Sequence, residues 1–199
     1  MKFTGERFVP TEEGKIRLEH YHRYSTVLDI VYGKDVLDVA SGEGYGSALI
    51  SDVARTVTGV DMATDAIEHA VATYSDKKNL KFVQGSVTQL QFEDSSFDVV
   101  VSFETIEHLS EQEQMLSEIR RVLRDDGFLV LSSPNRPVYS EESGENNEFH
   151  VKELDFDELD ALLKVQFPVT QYYGQRMMMG SVLQPIQGDF GHYDAWHDN

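Results

Sequence analysis

A short apolar run that breaks into glycines constrains this chain more than anything else in it. Val36-Leu37-Asp38-Val39-Ala40-Ser41-Gly42-Glu43-Gly44-Tyr45-Gly46 reads as a buried strand running straight into a glycine-rich turn. Val36, Leu37 and Val39 supply the β-forming side chains. Gly42, Gly44 and Gly46 let the backbone take positive φ and approach a ligand with no Cβ in the way. The residues that follow, Ser47-Ala48-Leu49-Ile50-Ser51, open a helix whose N-terminal amides face the same crevice. A strand, turn and helix of this kind form the nucleotide-binding corner of an open α/β sheet, although a tight turn also calls for glycine on steric grounds alone.

The next strand narrows the choice. Arg55-Thr56-Val57-Thr58-Gly59-Val60-Asp61 is a β-branched run ending in a carboxylate. An acid at the tip of a second strand accepts hydrogen bonds from both hydroxyls of a ribose. Ser47 stands where a dinucleotide fingerprint would carry its third glycine, so no pyrophosphate cradle is expected. From Asp35 onward strands and helices alternate. Strands are expected at 35–39, 57–60, 80–84, 97–103 and 128–132, and helices at 46–53, 63–74 and 153–163. A further helix is capped by Ser110 and carries Met115, Leu116, Ile119 and Val122 at core spacing. Asp65 either caps the 63–74 helix or favours its first turn. A helix over 18–31 precedes the sheet, and residues 169–176 with 181–183 suit a closing hairpin. Such alternation predicts a parallel sheet with helices on both faces.

Residues 1–17 are polar and turn-rich and read as an arm, 18–186 as one domain, and 187–199 as a polar tail or a linker. Seventeen basic against thirty-five acidic residues leave a net charge of −18. So negative a surface repels phosphate backbones and makes nucleic acid an unfavoured partner. Arg120, Arg121 and Arg124 come nearest to a basic cluster. There is no cysteine, hence no disulfide framework and no thiolate metal site. The N-terminus shows no secretory leader, and the longest apolar run, Val99-Val100-Val101, is too short to span a bilayer. A cytoplasmic protein is expected.

With the glycine turn and Asp61 together, the sequence resembles the class I S-adenosylmethionine-dependent methyltransferases over most of its length. The resemblance implies a Rossmann-like, mostly parallel seven-stranded sheet and S-adenosyl-L-methionine as cofactor. It assigns the methionine part to Ala40, Ser41, Gly42 and Gly44, within a stretch that also contributes Asp38, Tyr45 and Gly46. It assigns the ribose to Asp61 and Met62, and the adenine to Ser86, Val87 and Phe103. Arg23, on the helix before the sheet, suits the cofactor carboxylate, because a guanidinium fork pairs with both oxygens. One departure stands out: the acid that often follows the third strand is replaced here by Gly85-Ser86-Val87.

Methyl transfer to a hydroxyl needs alignment and a base. His108 and His150 are the candidates, with Glu107 beside the first. Glu104-x-x-Glu107-His108 has spacings of three and four, which would set the three side chains on one helical face. Glu107 and His108 equally suit a structural hydrogen-bonded pair. Glu104, Glu107, His108 and His150 together suit a hard divalent ion, Mg²⁺ or Mn²⁺. That set is similar to the metal site of small-RNA 2′-O-methyltransferases, and a related motif occurs in ubiquinone-pathway O-methyltransferases.

The opening Phe3-Thr4-Gly5-Glu6-Arg7-Phe8-Val9-Pro10, with Leu18-Glu19-His20-Tyr21-His22-Arg23-Tyr24 and Ser132-Ser133-Pro134-Asn135, resembles methyltransferases of bacterial surface-polysaccharide biosynthesis. That resemblance implies a glycan or nucleotide-sugar acceptor, and a homodimer or a fused glycosyltransferase as partner. A small-RNA or other small-molecule methyltransferase, and a cofactor-binding regulatory module, remain as alternatives.

Overall fold

A computed structural model describes residues 14–176 except 143, 145 and 146. Its strands are β1 (Asp35–Val39), β2 (Thr56–Asp61), β3 (Leu80–Gln84), β4 (Phe97–Phe103) and β5 (Leu123–Ser132). Its helices are α1 (Lys15–Thr26), α2 (Leu28–Val31), α3 (Tyr45–Ser51), α4 (Thr64–Thr73), α5 (Gln112–Val122) and α6 (Phe156–Lys164).

All pairings are parallel and the order is β3-β2-β1-β4-β5. The chain therefore winds outward from β1 to β3, returns to the other side of β1 with β4, and winds outward again. Beyond the carboxyl ends of β1 and β4 the windings part, and this is where an open α/β sheet leaves its crevice.

The two central strands explain their own apolar runs. Val36, Val99 and Val101 are buried with Tyr24, Val27, Val31 and Ile50 on the face covered by α1 to α3. Leu37, Val39 and Val100 are buried with Met115, Leu116, Ile119 and Leu163 on the face covered by α5 and α6. Side chains alternate between faces, so a strand covered on both sides is apolar at every position.

Strands β1, β3 and β4 match their expected bounds. Elsewhere the structure corrects the sequence reading. The first helix starts at Lys15, inside the expected arm, and breaks at Val27 into α1 and α2. Ser110 does not cap α5, which begins after Glu111; the Ser110 hydroxyl donates to the Glu111 carboxylate at 2.7 Å. Asp65 is no cap either and accepts the Ala66 N–H from within the first turn of α4. Asp125-Asp126-Gly127 has the composition of a turn, yet it runs on within a bulge in β5, because Leu123 pairs with Phe97 and Phe128 with Val99. Residues 137–142 form one π-helical turn. Asp155 caps α6 in a reciprocal box with Glu158, so that helix begins later than its charge pattern suggests.

Five strands, not seven, occur among the described residues. Residues 169–176 have no strand, and 181–183, the other half of the expected hairpin, lie outside the described residues, as does the 187–199 tail. No described helix is long and apolar enough to cross a membrane.

Candidate active site

The glycine turn is held from below and from the side. Asp38, fully buried at the end of β1, accepts the Ser47 hydroxyl at 2.6 Å and the Tyr24 hydroxyl at 3.2 Å. Burial pushes its carboxyl up to about 7, against the pull of those two hydroxyls. Asp38 therefore braces the turn from beneath. Ala40 then takes a left-handed φ of 55° and Gly42 one of 54°. Side chains in that region are strained by about 1 kcal/mol or more, so the bend at Ala40 is held by its surroundings. Nothing lies within 4 Å of where a Cβ on Gly42 would sit, which leaves that face of the turn open. Gly46 is glycine for packing, and Gly44 both for packing and for its left-handed φ of 82°. A Cβ on Gly44 would meet the Phe82 ring at 2.4 Å, and one on Gly46 the Tyr24 ring at 2.0 Å.

Asp61 reaches across from β2. One of its oxygens accepts the Gly42 N–H at 2.8 Å and the other the Ala63 N–H at 2.9 Å. Both bonds fix the carboxylate and leave lone pairs for further donors. Met62 beside it is exposed. The Ser86 hydroxyl sits 2.7 Å from that of Thr88 in a local turn, while Val87 is a core side chain. Phe103, at the tip of β4, meets Tyr24 edge-on with ring centroids 4.9 Å apart.

Helix α1 closes over this corner. His20 Nδ1 lies 3.0 Å from the hydroxyl of buried Tyr45. Arg23 donates from Nε to Gln175 at 2.8 Å and pairs with Glu104 at 3.5 Å. Its Nη1 is buried with no hydrogen-bond partner among the described residues, and so is the Ser41 hydroxyl. A buried donor with no acceptor is costly, so both atoms suit a polar ligand.

The second cluster follows β4. Glu104 has a φ of 50°, and only Ile106–His108 forms a 3₁₀ turn. That backbone reversal corrects the expectation of one helical face. Glu104 turns toward Ser132, whose hydroxyl donates to it at 2.5 Å, and toward Arg23. Glu107, His108 and His150 do converge, each offering a ligand atom within 4.8 Å of the others.

Main-chain bonds make this possible across a long sequence gap. The Val151 and Lys152 N–H groups both donate to the Glu107 carbonyl, at 2.9 and 3.0 Å. The Gln112 side-chain amide donates to the carbonyls of Ile106 and Lys152, both at 2.9 Å. The imidazole rings of His108 and His150 meet edge-on at 4.9 Å.

Glu107 is only 1% exposed, and neither carboxylate oxygen has a hydrogen-bond partner among the described residues. Burial first, and the Glu104 charge second, hold it well above the usual carboxylate range. His108 Nδ1 lies 2.9 Å from the Phe149 carbonyl, an acceptor only, so Nδ1 carries the proton and Nε2 the lone pair. A buried carboxylate without donors is favourable only with a proton or a cation beside it. Two imidazoles with a carboxylate are a suitable donor set for a divalent ion.

Sequence reasoning did not single out Tyr24, Gln112, Asn147 or Glu153, all of which shape the two clusters. For Gln112 and Tyr24 no local signal exists, because their partners lie on other elements. For Glu153 the spacing of three from His150 was a usable one.

Comparison with known proteins agrees with the geometry. Residues 37–131, from within β1 to within β5, match the family model for the methyltransferase domain. That stretch is similar to a methyltransferase domain. A Mycolicibacterium smegmatis protein described as a probable S-adenosylmethionine-dependent methyltransferase is 40% identical over 169 residues, which cover 82% of this chain and 64% of that protein. A Mycobacterium tuberculosis protein of like description is 38% identical over 172 residues, 82% of this chain and 60% of its own. The chain thus spans less than two thirds of the length of these relatives. Among solved structures, YcgJ from Bacillus subtilis matches with a TM-score of 0.67 and 26% identity, over 74% of this chain and 68% of its own. The glycine turn, Asp61 and the Glu107 cluster lie on one rim of the sheet.

Proposed function

We propose that the chain transfers a methyl group from S-adenosylmethionine to a hydroxyl oxygen, and that the acceptor is a sugar in a glycan or a nucleotide sugar. The observation that carries the hydroxyl reading is the convergence of Glu107, His108 and His150 within 4.8 Å beyond the carboxyl end of β4. On the cofactor side, the unpartnered Nη1 of Arg23 and the open face of the Gly42 turn suit the methionine part. Asp61 has lone pairs for the ribose hydroxyls, and Ser86 and Phe103 border the adenine position. When bound, the cofactor supplies an electrophilic sulfonium methyl group.

The chain's own residues supply alignment and a proton acceptor. A lone-pair imidazole nitrogen takes the hydroxyl proton as the oxygen is alkylated, and the positive charge this creates favours the ionised form of the neighbouring Glu107. A second reading is favoured by the absence of donors on Glu107. Glu107, His108 and His150 would then hold Mg²⁺ or Mn²⁺, which would lower the pKa of a coordinated hydroxyl. Charge supports a carbohydrate over a nucleic acid. Arg121 is tied to Glu118 and Asp94, and Arg124 to Asp98 and Asp35, so the one basic run offers no phosphate site.

The test is transfer of labelled methyl groups to three acceptor pools: bacterial surface glycans, nucleotide sugars and small RNAs, with and without chelator. Label on a sugar is expected. Loss of that label with chelator and recovery with Mn²⁺ would support the metal reading, and indifference to chelator the imidazole base. Label on RNA alone would overturn the sugar assignment. No label with tight cofactor binding would favour a regulatory module.

A further inference from the structure

His150 is surrounded by more than its role in the cluster requires. It lies on an irregular segment, yet its side chain is only 8% exposed. Nδ1 is in hydrogen-bonding contact with a carboxylate oxygen of Glu153, itself only 10% exposed. The other Glu153 oxygen accepts the Ser140 hydroxyl. The Asn147 side-chain amide lies 3.1 Å from Nε2, and the Tyr139 ring sits 5.4 Å away at 32° to the imidazole. Three neighbours therefore fix the ring position, and a fourth fixes the carboxylate that faces it.

The geometry points to Glu153 as the positioning residue of this site: it accepts the hydrogen bond of His150 Nδ1–H and so keeps Nε2 as the acceptor nitrogen, whose lone pair the Asn147 amide holds until the substrate hydroxyl or a cation replaces it. This rests on the reading of His150 as a working member of the cluster. A carboxylate is an acceptor only, so the donor in this contact is Nδ1–H. The Asn147 amide, donating to Nε2, selects the same tautomer from the other side. Ser140 holds the far oxygen, so Glu153 cannot swing away without losing a second bond. His108 is set the same way by the Phe149 carbonyl, and both histidines therefore carry their proton on Nδ1. A partner on the outer nitrogen orients an imidazole ligand and raises its basicity, and losing that partner typically weakens metal affinity by about 10–100-fold.

The experiment reads the tautomer of His150 by ¹⁵N imidazole NMR on the free protein, without cofactor, metal or acceptor. The wild type is expected to show a protonated Nδ1 and an unprotonated Nε2. Glu153→Leu is expected to shift His150 toward the Nε2–H form, with Mn²⁺ affinity down about 10–100-fold. Glu153→Asp restores an acceptor and is expected to recover part of both. An Nε2–H tautomer in the wild type overturns the proposal whether or not any variant folds. So does a wild-type tautomer in a folded Glu153→Leu protein. A shifted tautomer with undiminished methyl transfer upholds the positioning role and overturns instead the working role of His150.

Discussion

Glu107 is the residue whose surroundings least suit its chemistry. Its carboxylate is buried with no hydrogen-bond donor among the described residues, and burial raises its folded pKa. In linkage terms the folded state keeps a proton that the unfolded chain releases near pH 4.3, so this residue lowers stability progressively as pH climbs above that value. Glu107→Gln removes that burden. In chelator at pH 8 the variant should melt at or above the wild-type temperature, while methyl transfer falls about 100-fold or more. A variant that melts several degrees lower would mean that Glu107 is held by partners after all. At this scale the sequence was informative about identity and poor about geometry. His108 and His150 were legible as a pair, because few residue types take a proton at neutral pH. The departure of Glu104 was not, because it depends on one left-handed residue with no glycine to announce it.

At the scale of elements, the meeting of α1 with the glycine turn decides the shape of the crevice. Gly46 is there because the Tyr24 ring occupies the space of a Cβ, and the Tyr24 hydroxyl then reaches Asp38. Gly46→Ala must push that ring out and break its bond to a buried carboxyl. A loss of about 2–4 kcal/mol in stability is expected from chemical denaturation. Tyr24→Ala in the same chain should recover part of the loss, since it empties the contested space. The two effects adding independently would show that the contact is not what makes Gly46 necessary. Strand–helix alternation was readable because β1 carries buried valine and leucine and β4 a run of buried valines, and glycines follow β1 directly. The bulge in β5 was not, since Asp125-Asp126-Gly127 reads as a turn until Phe97 supplies a partner for Leu123.

Across the whole molecule the two rims of the sheet do different work. Charge at the amino rim is neutralised internally. Arg55 grips Asp35 at 2.5 and 2.7 Å, and Arg124 reaches Asp98 at 2.5 Å and Asp35 at 3.2 Å. Arg55 above all holds the Asp35 carboxyl well below its ordinary range. Burial pushes Asp98 up, but the Asp35 N–H and Arg124 outweigh it. Both carboxylates thus contribute stability that is present above about pH 4 and lost as pH falls below it. Arg124→Gln should raise the pH of acid unfolding and leave cofactor affinity at pH 8 unchanged. A weaker cofactor grip in that variant would mean that the rims are coupled through the strands. The net charge of −18 was plain in the sequence, but the division of labour between the rims was not, because it follows from the parallel register.

The two hydrogen bonds from Val151 and Lys152 to the Glu107 carbonyl also have a meaning in time. A ribosome releases β1 to β5 before residue 151 emerges, so a nascent chain can pair these strands with Glu107 still wet and His150 not yet in place. Only when the chain has passed residue 152 can Gln112 take the Lys152 carbonyl and draw the late segment over the early one. Competence is thereby tied to synthesis past residue 152: a chain cut short in the 140s keeps its glycine turn and has no second half to its site.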